Sequence, residues 1–141
     1  GDVYKRQVIP IVKRSEEASK EFNKPIELIF IDGDHEYESV KLDFDLWNPK
    51  VIDGGTIAFH DVRGARGVRR FFREICKSTS FKNFGLCDSI GFVKKTKDNS
   101  FGDKIKGRYI LFLTYFFDIG EFLYKRRLFR PILNLMMGKR T

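Results

Sequence analysis

Ile26-Glu27-Leu28-Ile29-Phe30-Ile31-Asp32-Gly33-Asp34-His35 and, after a helical interval, Thr56-Ile57-Ala58-Phe59-His60-Asp61 decide how this chain folds. Each begins as a short apolar run and breaks off into acids and imidazoles. Such runs, bounded by turn signals, read as buried strands. Between them Tyr37, Val40, Phe44 and Trp47 recur at helical spacing, which predicts a helix over 36–47 with Asp34 or His35 near its cap and Asn48-Pro49 at its end. A strand, a crossover helix and a second strand make neighbours in a parallel sheet. Ligands of such sheets sit beyond the carboxyl ends of the strands. Asp32, Gly33, Asp34 and His35 after the first strand should therefore share a rim with His60 and Asp61 after the second. Carboxylates and imidazoles gathered in one crevice hold a divalent cation or serve as acid and base. That reasoning identifies a site and leaves the reaction open.

Upstream, Ser15-Glu16-Glu17 reads as a helix start with Ser15 as N-cap, running to about Asn23 before Pro25 stops it. Residues 1–7 are polar and read as a non-native leader; they hold no secretory signal. Asp53-Gly54-Gly55 reads as a tight turn before the second strand. Downstream, a loop with Gly64 and Gly67 leads to a helix over 68–77, with Val68, Phe71, Phe72 and Ile75 on one side. Residues 81–87 and 90–95 form a hairpin joined by Asp88-Ser89, and 97–102 a polar linker. The fold class that results is α/β. It is a partial Rossmann-like doubly wound sheet, mostly parallel with an antiparallel terminal hairpin, plus a helical C-terminal tail. The division falls at 1–97 for the sheet region and 98–141 for the tail.

The tail is apolar from Tyr109 to Phe117 and then basic, with Lys125, Arg126, Arg127 and Arg130. Asp118 and Glu121 interrupt it below the roughly 20 residues that span a bilayer. It reads as a docking or interfacial helix, followed beyond Pro131 by a second short helix with a basic end. The chain has 141 residues, 42% hydrophobic and 33% charged, which excludes a disordered chain and fits one domain. Its net charge of +8 admits nucleic acid, an anionic membrane surface or an acidic substrate as partners. Nucleic acid ranks last, because the aromatics are grouped and not interleaved with the charges, and no nucleic-acid module is recognisable. Cys76 and Cys87 make no disulfide framework, which suits a reducing cytoplasm. The expected location is cytoplasmic, with the basic tail at the inner face of a membrane.

The stretch from Pro25 to Val62, with Asp32-Gly33-Asp34-His35, Gly54-Gly55 and His60-Asp61 in order, resembles the fourth- and fifth-strand region of class I S-adenosylmethionine-dependent methyltransferases. It is most similar to the bacterial group called methyltransferase family 24. The likeness continues through Gly67-Val68, Phe72, Glu74-Ile75 and Asp88-Ser89-Ile90-Gly91. The resemblance implies a seven-stranded sheet whose last strand is antiparallel, S-adenosylmethionine as cofactor, and a small-molecule acceptor, an oxygen of a sugar or glycan precursor. It also implies that the chain is the C-terminal half of the domain, a fragment inactive alone, since the family's Gly-rich cofactor loop would lie upstream of Ser15 and no such loop occurs there. By position, Asp32 and Gly33 fall to the cofactor; His35, His60 and Asp61 to catalysis; and Asp32, His60 and Asp61 to a metal. Some relatives hold magnesium with acids at these strand ends. His60 stands where some of them place an acid, and an imidazole suits softer transition metals better.

Blander readings stand beside these. Asp34 and His35 can cap the following helix, and Arg63, Arg66, Arg69 and Arg70 can be a solvated helix start and not contacts to an acidic acceptor. Phe44, Trp47 and Phe71 belong to the core. Two other functions fit the same residues: a non-catalytic Rossmann-like module that binds a partner or anionic membrane, and a metal-dependent hydrolase. Oligomeric state is not written in the sequence.

Overall fold

The computed structural model describes residues 8–125. In chain order the elements are α1 (Ser15–Glu21), β1 (Ile26–Ile31), α2 (Tyr37–Trp47), a single 3-10 turn (Asn48–Lys50), β2 (Val51–Phe59), α3 (Arg66–Lys77), β3 (Phe81–Cys87), β4 (Ile90–Lys95) and α4 (Phe101–Lys125). The sheet has four strands in the order β1-β2-β4-β3. β1 and β2 are parallel, while β4 runs antiparallel to both its neighbours. The α/β class and the antiparallel hairpin expected from the sequence are both present. The second short helix expected beyond Pro131 lies outside the described residues, as does the leader.

Burial explains why these segments hold together. Ile31, Ile57, Phe59 and Val93 from the sheet join Val40 and Phe44 of α2 and Phe71, Phe72 and Ile75 of α3 in one core. The phenyl rings interlock edge to face, Phe44 on Phe71 at 5.2 Å and Phe59 on Phe72 at 5.8 Å between centroids. Each such pair adds about 1 kcal/mol beyond its buried area. Removing Phe59, which is wholly buried, would cost about 3–5 kcal/mol. The other side of β1 is different. Leu28 and Phe30 are 65% and 46% exposed, and β1 pairs with β2 alone among the described residues. β1 is therefore an edge strand with apolar surface left open.

Four local expectations need correction. Asp53-Gly54-Gly55 is no turn between elements but an irregularity inside β2: the pairing steps from Ile26↔Val51 to Leu28↔Thr56, with Gly54 at φ +80°. The extra residues bulge outward and the strand continues, which only a glycine at that φ tolerates cheaply. Ser15 is not the N-cap of α1; Arg14 holds that position, and the Ser15 hydroxyl instead accepts a hydrogen bond from Trp47 Nε1 at 2.7 Å. Trp47 is accordingly half-buried against α1, outside the core proper. The linker also ends early. Ser100 and Asp103 make a reciprocal capping box, so α4 starts at Phe101.

α4 packs along α3 and β3, where Gly107 lies against the Cys76 carbonyl and the Phe84 ring. The seam is locked by ions. Arg69, with its side chain 1% exposed, donates from Nε to Asp118 at 2.8 Å and from Nη1 to the Arg63 carbonyl at 2.6 Å. Arg73 reaches the other oxygen of Asp118 at 2.7 Å and donates to the Thr114 hydroxyl and carbonyl. Arg69 is therefore a buried tie and not part of a solvated helix start.

Candidate active site

Parallel register brings the site together. Ile31 lies opposite Phe59, so Asp32 and His60 leave adjacent strands at the same height. The His60 N–H still donates to the Ile31 carbonyl at 3.0 Å, carrying the ladder one step past the strand ends. Asp61 then turns into the left-handed region at φ 56°, a conformation uncommon outside glycine and one that marks strained, over-determined positions. The Val62 N–H is fixed by the Ser89 carbonyl at 2.8 Å, so the hairpin turn holds the far side of this bend.

Four side chains meet at the rim. His60 Nδ1 lies 3.0 Å from Asp32 Oδ1 and 3.6 Å from Asp61 Oδ2. His35 Nε2 lies 3.7 Å from each of the same two carboxylates. Ligand atoms of Asp32, His35 and His60 all come within 4.8 Å of one another. None of these contacts is an aligned hydrogen bond. His60 Nδ1 is buried and, despite its 3.0 Å approach to Asp32, lacks a hydrogen-bond partner of proper geometry. A buried nitrogen left in this state is costly unless something else engages it. The donors fit a cation bound from the open side, and the imidazole content favours a transition metal over magnesium.

Asp34 is separated from this group by its own hydrogen bonds. It accepts from the Glu36 N–H at 3.4 Å and from the Ser39 hydroxyl at 2.9 Å, so it organises the start of α2. Neither of the two residues expected near the cap is the N-cap of α2, which is Glu36 without a side-chain cap bond; Asp34 braces the turn before the helix, and His35 joins the rim. Gly33 passes α2 closely, since a Cβ there would stand 2.9 Å from Asp43 Oδ2. It serves loop packing in this structure.

Gly67 is the residue that sequence reasoning gave no role at the site. Any Cβ on it would lie 2.3 Å from the His35 carbonyl and 2.5 Å from the Tyr37 nitrogen. The first turn of α3 thus presses bare backbone onto the loop that carries His35. A glycine one residue inside a helix was the available signal. Arg70 adds to the same contact, its guanidinium 4.2 Å from the centre of the Tyr37 ring, and Tyr37 bonds Glu74 of α3 at 2.9 Å.

Beside Asp61 opens a hollow of about 540 Å³ lined by Arg63, Gly64, Ser89, Phe116, Phe117 and Gly120. A second, of about 400 Å³, runs along the free edge of β1 and includes Phe30, Ile31, Asp32, Asp43 and Trp47. The rim lies between them: Asp32 borders one hollow and Asp61 the other. Cys76 takes no part, because burial pushes its thiol up to about 12 and removes the thiolate.

Residues 2–62 match the model of a family described as a methyltransferase domain, methyltransferase family 24. A curated protein of Sinorhizobium fredii (strain NBRC 101917 / NGR234), the uncharacterized protein y4gI, is 30% identical over 71 residues, or 48% of this chain. The chain spans only 8% of that relative's length. Among solved structures, MycE methyltransferase from the mycinamycin biosynthetic pathway, in complex with Mg and SAH, is similar at 16% identity and a TM-score of 0.44, over 58% of this chain and 28% of that one. The same enzyme with Mg, SAH and mycinamycin VI is similar at 12% identity and a TM-score of 0.46, over 67% of this chain and 34% of that one.

Proposed function

We propose, from the match of residues 2–62 to a methyltransferase-domain family, that the rim of Asp32, His35, His60 and Asp61 serves S-adenosylmethionine-dependent methylation of a hydroxyl on a small-molecule acceptor. The acceptor class is a sugar or glycan precursor. The observation that carries the reading is the convergence of two carboxylates and two imidazoles, at 3.0 to 3.7 Å, on the carboxyl ends of adjacent parallel strands.

A hydroxyl oxygen attacks the sulfonium methyl in line; the C–O bond forms as the C–S bond breaks, and the thioether leaves. The acceptor's proton must go to the protein. His35 Nε2 is accessible and stands between Asp32 and Asp61, whose carboxylates would stabilise the imidazolium once the proton arrives. The hollow bordered by Asp61 and Phe117 gives an acceptor room on one side. Asp32, on the opposite border, would face the cationic methyl end of the cofactor across the β1 edge. Among the described residues none makes a Gly-x-Gly turn after a strand; in this reading the rim faces the methyl end of the cofactor. A divalent cation held by Asp32, His35 and His60, where the fold gathers His35 and not Asp61 as the third donor, would instead, when bound, lower the acceptor hydroxyl's pKa. Positioning supplies much of the remaining acceleration.

The test is transfer of labelled methyl from S-adenosylmethionine in the longest natural protein that contains these residues. Asp32→Ala and Asp61→Ala are expected to abolish transfer while the protein stays folded. Wild-type rates in both would sink the assignment. Metal-dependent turnover of simple esters without the cofactor would instead favour a hydrolase.

A further inference from the structure

We infer that α4 is a membrane-surface helix whose outer stripe seats on an anionic lipid bilayer. No helix among the described residues is long and apolar enough to cross a membrane, so the mode is peripheral. Gly107, Ile110 and Thr114 turn inward and are buried. The opposite side carries Ile105, Tyr109, Phe112, Phe116 and Ile119 at alternating steps of four and three residues, each 52% exposed or more. Five large apolar side chains lined up in water form a patch that soluble surfaces seldom carry without a partner.

Charge selects the partner. Lys104 and Arg108 flank the stripe on one side and Lys106 on the other, all exposed. The nearby acids are engaged elsewhere, Asp103 in the cap with Ser100 and Asp118 with Arg69 and Arg73. Stacking two copies stripe to stripe would bring these cationic borders together, which disfavours a homodimer through this face. A lipid surface offers the opposite sign. Next to the stripe, Lys77, Lys104 and Arg108 line a cavity of about 300 Å³ together with Ser78 and Thr79. None of those three cations has an acidic partner among the described residues, and the cavity suits a phosphate-bearing headgroup. Aromatic and aliphatic residues on one face with basic residues at its borders are what interfacial helices use.

The inference does not depend on methyl transfer, and its test needs no cofactor. The full chain is sedimented with vesicles of phosphatidylcholine alone and of phosphatidylcholine mixed equally with phosphatidylglycerol. Binding is expected only to the anionic vesicles and should weaken with salt. Tyr109→Ser with Phe112→Ser, and separately Lys104→Glu with Arg108→Glu, should each lower partitioning by about tenfold or more. These side chains are exposed, so melting curves should match wild type. Equal binding to both vesicle types, or wild-type binding by both variants, overturns the inference. So does concentration-dependent self-association that the Tyr109/Phe112 variant abolishes while anionic vesicles are ignored, which would assign the stripe to a second copy.

Discussion

The rim at the strand ends and the seam between α3 and α4 each concentrate charge, yet they do so in opposite ways. At the seam, Asp118 is gripped by Arg69 and Arg73 at 2.7 to 2.8 Å, and the guanidiniums spend further donors on the Arg63 and Thr114 carbonyls. Those charges are saturated by one another. At the rim, the same kinds of group stand 3.0 to 3.7 Å apart, unaligned, with a buried His60 nitrogen unsatisfied. Saturated charge stabilises a fold; charge held close but unaligned is what the proposed site role of the rim requires.

The largest expected effect lies at the rim. Replacing His35 by Ala should lower methyl transfer by about 10²–10⁴-fold, the usual contribution of a positioned general base. It should also change the pH–rate profile, which a purely structural role would leave in place. Gly67→Ala should come next. Its Cβ meets the backbone of His35 to Tyr37 and not a flexible tip, so α3 or the loop must shift. Activity should fall about tenfold or more, as small misplacements of catalytic groups do, and the melting temperature should fall with it. An unchanged Gly67→Ala would mean that the rim does not depend on α3.

The seam makes a smaller, pH-dependent prediction. Desolvation pushes Asp118 up, but the hydrogen bonds and charges of Arg73 and Arg69 outweigh it and hold the carboxyl below its ordinary 3.8. A lowered folded pKa gives stability that is complete above 3.8 and is lost as pH falls through the folded value. Unfolding followed against pH should show wild type losing its advantage over Asp118→Asn below about pH 4, while the gap stays constant at neutral pH. An equal gap at low pH would contradict the pairing.

How far the sequence could be read follows the range of the interactions. β1, the hairpin strands and the rim were legible because apolar runs and abrupt polar endings are local patterns, and parallel pairing then carries Asp32 next to His60 without further information. The extra residues of β2 were misread as a turn, because Asp53-Gly54-Gly55 has turn composition and only pairing with Ile26 and Leu28 reveals a bulge. Arg69 was unreadable for a different reason. Its partner Asp118 is 49 positions away, and among Arg63, Arg66 and Arg70 nothing local marks it for burial. Gly67 likewise owes its role to a loop some thirty residues upstream. For Asp34 and His35 local sequence fits cap and site equally, and tertiary packing divides them.

Urea unfolding of Asp32→Ala beside Asp118→Ala measures the contrast between rim and seam directly. Asp118→Ala should cost about 2–3 kcal/mol, discounted from a fully buried pair because its carboxylate is 39% exposed. Asp32→Ala should cost no more than about 0.5 kcal/mol, as expected of a half-exposed side chain whose contacts with His35 and His60 are unaligned. A loss at Asp32 as large as that at Asp118 would make the rim a structural cluster and contradict its assignment as a site.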